Sequence, residues 1–140
     1  MQYILGIDFG LKRIGTALAN TIDRFPSPFR VFAVQNNLQQ AVNTLFKDLK
    51  QAGYELVQIV IGFPHFHYQS SIQVSIHKFV ELIKTRFNVP VTLIDESGTT
   101  SEVKANLQEL GLKNRTFKKA KDTLAATLIL ERFLNQQKPN

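Results

Sequence analysis

Cysteine is absent, which excludes disulfides, thiolate zinc sites and thiol nucleophiles together. Histidine is scarce, with 3 in the chain, so an imidazole-rich metal centre is not expected. No apolar run approaches the ~18–20 residues that a membrane helix requires. Asp8, Lys12 and Arg13 interrupt the N-terminal region, so it does not read as a secretory signal. Internal repeats, low-complexity tracts and linkers are also missing. What remains is a chain of 140 residues, 44% hydrophobic, with a mean hydropathy of −0.10. That is enough to bury a core, and residues 1–140 are expected to form one soluble, cytoplasmic domain. Acids are the under-represented charge: 17 Lys and Arg face 11 Asp and Glu, a net +6. Such a balance suggests an anionic partner, nucleic acid or a lipid surface.

The chain reads as strands first and helices later. Residues 3–9 are a near-continuous apolar run ending in a carboxylate, which suits a strand buried on both faces. Gly10 turns the chain, and residues 14–19 pair back as a hairpin. A polar stretch over 20–28 reads as a loop, and 29–34 as a third strand. Leu38, Val42, Leu45, Phe46 and Leu49 then mark one face of a helix that Gly53 ends. Residues 56–61 form a buried strand stopped by Gly62 and Pro64. A second helix presents Ile72, Ile76, Phe79, Val80, Ile83 and Phe87. Residues 89–94 form another strand, ending in Asp95 and Glu96. Thr99 and Glu102 have capping-box spacing for a third helix carrying Val103, Leu107 and Leu110. A polar basic stretch leads to a last helix over 120–136. The fold class is therefore α/β: a mixed five-stranded sheet, three leading strands followed by βαβ units, with helices on both faces.

Ligands of α/β sheets collect beyond the carboxyl ends of the parallel strands. Asp8 and the Asp95-Glu96 pair stand at two such ends. Asp122 lies near the start of the last helix, and Ala125 and Ala126 share its face, so that helix could approach the sheet closely and turn Asp122 towards the strand ends. Three gathered carboxylates repel one another unless a cation joins them. Mg²⁺ or Mn²⁺ fits oxygen ligands, and two such ions roughly 3.5–4 Å apart can activate water and stabilise the leaving oxygen of a phosphodiester. Each acid taken singly is more often a turn or capping residue than a ligand.

Four segments in order carry a resemblance. Gly6-Ile7-Asp8-Phe9-Gly10-Leu11-Lys12-Arg13-Ile14-Gly15, Ile61-Gly62-Phe63-Pro64, Asp95-Glu96-Ser97-Gly98-Thr99-Thr100, and Asp122 to Leu130 with its Ala125-Ala126 pair resemble the motifs of the YqgF family. That family is a branch of the RNase H-like superfamily related to Holliday-junction resolvases. The resemblance implies a divalent-metal-dependent nuclease with Asp8, Glu96 and Asp122 as both catalytic and metal-binding acids. It implies a nucleic-acid substrate, precursor 16S ribosomal RNA trimmed at its 5′ end or branched DNA resolved at a junction, and a monomer or homodimer. Lys12 and Arg13 would lie near the phosphate backbone, and Thr99 and Thr100 could offer hydroxyls and N–H groups to a phosphate or simply cap a helix. Strand alternation sends Asp95 and Glu96 to opposite faces, so one of them reaches the site; the family match selects Glu96.

Ser97 stands where family members usually carry Arg, and the His65-Phe66-His67-Tyr68 run departs from the usual loop. These departures keep open a nucleic-acid-binding module without catalysis. The opening hairpin also resembles the phosphate loop of actin-like kinases, but those bind ATP between two such domains. His65 and His67 read as polar loop residues, Phe66 and Tyr68 as packing or base-stacking rings, and His77 as a surface residue. Finally, Lys113, Arg115, Lys118, Lys119 and Lys121 fall in one acid-free stretch leading into Asp122. It reads as a solvated mobile loop, or as phosphate contacts that guide a polyanion to the acids, with Lys118 and Lys119 foremost.

Overall fold

The structure, a computed structural model, describes residues 1–35, 37–63, 70–95 and 114–137. Its elements run β1 (Gln2–Asp8), β2 (Arg13–Asn20), β3 (Ser27–Ala33), α1 (Leu38–Gln51), β4 (Glu55–Phe63), α2 (Ser70–Phe87), β5 (Val91–Asp95) and α3 (Asn114–Gln136). The strands form one sheet in the order β3-β2-β1-β4-β5. β1 and β2 pair antiparallel, as do β2 and β3, whereas β1, β4 and β5 run parallel. This is the mixed five-stranded sheet expected from the sequence.

β1 is the central strand because its side chains are apolar in both directions. Leu5 and Ile7 face a core shared with Val42, Leu45 and Leu49 of α1 and Ile76, Phe79 and Ile83 of α2. Ile4 faces the opposite way, into a core with Val60, Ile94 and the α3 residues Ala126, Ile129, Leu130 and Phe133. The sheet is thus covered by α1 and α2 on one side and by α3 on the other. α1 starts cleanly because Asn37 accepts a hydrogen bond from the Gln40 N–H at 3.0 Å. It ends at Gly53, whose φ of +83° is a backbone state that side chains disfavour.

Three expectations change. β4 does not stop at Gly62: that residue pairs with Asp8 on one side and Ile94 on the other, and the strand runs on to Phe63. Phe46 is half-buried instead of belonging to the core. The basic stretch is not a loop, since α3 begins at Asn114 and takes in Arg115, Lys118, Lys119 and Lys121. No Gly or Pro interrupts residues 114–136, and Lys, Arg and Ala favour helix, so propensity carries the helix six residues beyond its expected start at 120. The helix expected from Thr99 to Leu110 lies outside the described residues.

Candidate active site

α3 is positioned by a stripe of small and apolar residues. Asp122, Ala125, Ala126, Ile129, Leu130, Phe133 and Leu134 are all buried and follow i, i+3, i+4, i+7 spacing. Asp122 is therefore the first member of the stripe that packs on the sheet, and the one acid in it. The sheet accommodates this helix through glycines. A Cβ on Gly6 would lie 2.9 Å from Leu130 Cβ and 3.0 Å from the Ala126 carbonyl oxygen, closer than side chains tolerate. At Gly15 a Cβ would overlap the backbone carbonyl of Asp122. The hydrogen atoms of two glycines, with Ala17 and Ala19 on the same face, give the helix backbone direct seating on β1 and β2.

Gly15 links the two acids. In the hairpin register Asp8 stands directly opposite Gly15, so their Cα–Cβ directions share the α3 face. Directly paired residues hold their Cβ positions about 5 Å apart. The Gly15 Cβ position is in turn 3.0 Å from Asp122 Cβ. The two carboxylate-bearing Cβ atoms are then at most about 8 Å apart, close enough for both side chains to reach a common ion. Ile94 of β5 lies in the same core beneath α3, and pairs with Gly62, which pairs with Asp8. The carboxyl ends of β1, β4 and β5 are thereby level with one another.

Arg13 completes the described part of the site. Its Nε donates to Asp122 Oδ2 at 2.6 Å, a charge-assisted contact between residues 109 apart in sequence. Asp122 is 6% exposed, and burial without a partner would strongly disfavour its charge. Sequence reasoning placed Arg13 on phosphates and did not foresee this pair. The pair arises because Arg13 and Gly15 share one face of β2 and Gly15 is the seat of Asp122, which sequence alone does not show. Lys12 is exposed in the turn before β2. Among the described residues no cluster of three or more His, Asp or Glu forms a metal cage. Glu96, Ser97, Thr99 and Thr100 lie outside the described residues, as do His65, Phe66, His67 and Tyr68. Lys118 and Lys119 fall on the second turn of α3. His77 is exposed, as expected.

Residues 2–136 match the family described as "RuvX: Holliday junction resolvase". The chain belongs to the RuvX family. Relatives agree over nearly full length. A protein of Mycoplasma pneumoniae is 99% identical over 140 residues, covering both chains completely, and one of Mycoplasma genitalium is 62% identical over 95% of this chain and 96% of its own. A Coxiella burnetii relative is 33% identical over 96% of this chain and 93% of its own. All three carry the name "Putative pre-16S rRNA nuclease". The fold is similar to that of T. thermophilus RuvC in complex with Holliday junction substrate, with a TM-score of 0.56 at 14% identity, over 98% of this chain and 97% of that one. The YqgF resemblance and the RNase H-like architecture are both borne out: RuvX and YqgF denote one family. No helix among the described residues is long and apolar enough to cross a membrane.

Proposed function

We propose that this RuvX protein is a divalent-metal-dependent endonuclease that hydrolyses phosphodiester bonds of structured nucleic acid in the cytoplasm, with processing of the 5′ end of precursor 16S rRNA as its main task. The convergence of Asp8 and Asp122 over Gly15 carries this reading. The donor set fits a hard cation: two carboxylate-bearing residues of separate elements stand within reach of a common ion beside the carboxyl end of β1, with no thiol or imidazole among them. Glu96 is assigned as the third acid on the strength of its Asp95-Glu96 motif. Bound Mg²⁺ or Mn²⁺, as one ion or two, would activate water and stabilise the leaving oxygen.

The remaining work falls to the chain. Asp8 and Asp122 would hold ions from a β-strand and a buried helix turn, two rigid elements that fix where their carboxylates start. Arg13 orients Asp122 through Nε, and its two terminal nitrogens remain for a phosphate oxygen. Lys12, exposed in the adjoining turn, offers a second cation. Lys118 and Lys119 sit near the N-terminus of α3, where basic residues oppose the helix dipole and no acid balances them in the first turn. A bound polyanion would relieve that opposition. Thr99 and Thr100 are assigned as further phosphate contacts on the strength of their motif.

Incubation of the purified protein with precursor rRNA, single-stranded RNA and four-way DNA junctions, with Mg²⁺, Mn²⁺ or EDTA, tests the reading. Preferential metal-dependent cutting of the precursor supports it. Preferential cutting of the junction supports the second reading, a DNA resolvase, which the family description favours. Equal binding by wild type and Asp8→Asn without any cutting would leave a binding module.

A further inference from the structure

The end of the sheet remote from Asp8 and Asp122 carries a second concentration of charge and aromatic surface. α1 and α2 both finish there, and their last turns contain Lys50, Lys84 and Arg86. Phe46 lies between them, half-buried, with its ring edge-on to Phe87 at 5.3 Å. Two cations share that one ring: Arg86 Cζ lies 4.3 Å from its centroid and Lys50 Nζ 5.4 Å. Neither cation has a carboxylate partner among the described residues, where the ion pairs are Arg13–Asp122 and Arg30–Asp48. A cavity of about 180 Å³ opens beside them, with Phe46, Lys50, Tyr54 and Phe87 among its lining. Tyr54 then meets Phe29 edge-on at 5.6 Å, and Arg30 lies 4.8 Å over the Phe29 ring. Phe29, Phe46, Tyr54 and Phe87 are all half-buried, so each leaves part of its ring accessible.

The occupant follows from this alternation. Cations gathered on one ring without counter-charge repel each other, and an anion relieves that repulsion. Half-covered rings beside a pit offer stacking or edge contacts to a flat apolar group. A single-stranded polynucleotide supplies both in every repeat, a phosphate and a planar base. The surface begins at Leu56, six residues before Gly62 on β4, or about 20 Å from the level of Asp8. A strand cut at the acids could therefore extend to this face.

We propose that the surface formed by Phe46, Lys50, Tyr54 and Arg86 is a second docking site for single-stranded nucleic acid, which anchors the substrate arm away from the cut. It rests on the reading of the acids as a nuclease site for its biological use, but not for its test. Binding of labelled single-stranded RNA and DNA is measured by fluorescence anisotropy in EDTA, across a salt series, so that no cleavage intervenes. The K50A/R86A double variant weakens binding at least about tenfold and flattens the slope of log K against log salt by about 1.4, the value for two lost phosphate contacts. Phe46→Leu, which keeps an apolar group on the helix, weakens binding about tenfold and leaves the slope unchanged. Lys78→Ala, the loss of an exposed charge elsewhere on α2, changes neither. Wild-type affinity and slope in both K50A/R86A and F46L would overturn the proposal, as would displacement of the oligonucleotide by anionic vesicles or polyglutamate at equal charge. Cleavage is read separately. A wild-type chain that binds through this surface but never cuts removes the nuclease alone, and one that cuts while K50A/R86A and F46L both bind normally removes the docking site alone.

Discussion

At the scale of the residue, the site depends on an atom that is missing. Gly15 has no Cβ, and the Asp122 backbone occupies that space. Gly15→Ala should push the Asp122 turn of α3 off the sheet, destabilise the protein by about 1–3 kcal/mol or more in urea titration, and abolish cleavage. Arg13 is the other critical residue. Arg13→Gln removes a charge-assisted bond to a buried carboxylate, and should cost about 1–3 kcal/mol, reduced by the partial exposure of the arginine. In the Asp122→Asn background the same change should cost much less, and a coupling energy of at least about 0.5 kcal/mol in that cycle is the measurement that checks the pair. Both acids can be singled out from sequence, because Asp8 ends an apolar run and Asp122 heads a stripe of small and apolar residues. The roles of Gly15 and Arg13 cannot, since they depend on how a helix more than a hundred residues away lands on β2.

At the scale of the element, α3 does two jobs with one stripe. Its later turns bury Ile129, Leu130, Phe133 and Leu134, and the same periodicity carried two turns back from Ile129, past Ala125 and Ala126, presents Asp122. The Ala125-Ala126 pair makes this close approach legible in the sequence, since two small side chains in succession leave room for a neighbouring backbone. The start of the helix is not legible, because residues 114–119 have helical propensity but no apolar stripe to mark the face. Neutralising Lys118 and Lys119 as glutamines should flatten the salt dependence of binding by about 1.4 on a single strand or 1.8 on a duplex, while metal-induced thermal stabilisation is unchanged. α1 provides the contrast. Asn37→Ala removes its N-terminal cap and should cost about 1 kcal/mol of stability, with kcat untouched at temperatures where the protein is folded.

At the scale of the whole molecule, the sheet order β3-β2-β1-β4-β5 places the carboxyl ends of three parallel strands together, and α3 seats Asp122 over Gly15 of β2, beside the end of β1. The strand pattern is readable because parallel strands buried on both faces are continuous apolar runs, as residues 3–9 and 56–61 are. Distribution of charge is less readable: a count of net +6 does not reveal that two cations converge on Phe46 at one end while Lys118 and Lys119 ride a helix at the other. The central claim is that Asp8 and Asp122 jointly hold a divalent ion for phosphodiester hydrolysis. Its most direct measurement is calorimetric titration of Mn²⁺ into wild type, Asp8→Asn and Asp122→Asn, paired with cleavage of precursor rRNA by the same preparations. Mn²⁺ binding and cleavage should both be lost, or fall by at least about a hundredfold, in each folded variant. Variants that stay folded, bind Mn²⁺ as wild type does and still cut the RNA would contradict the account.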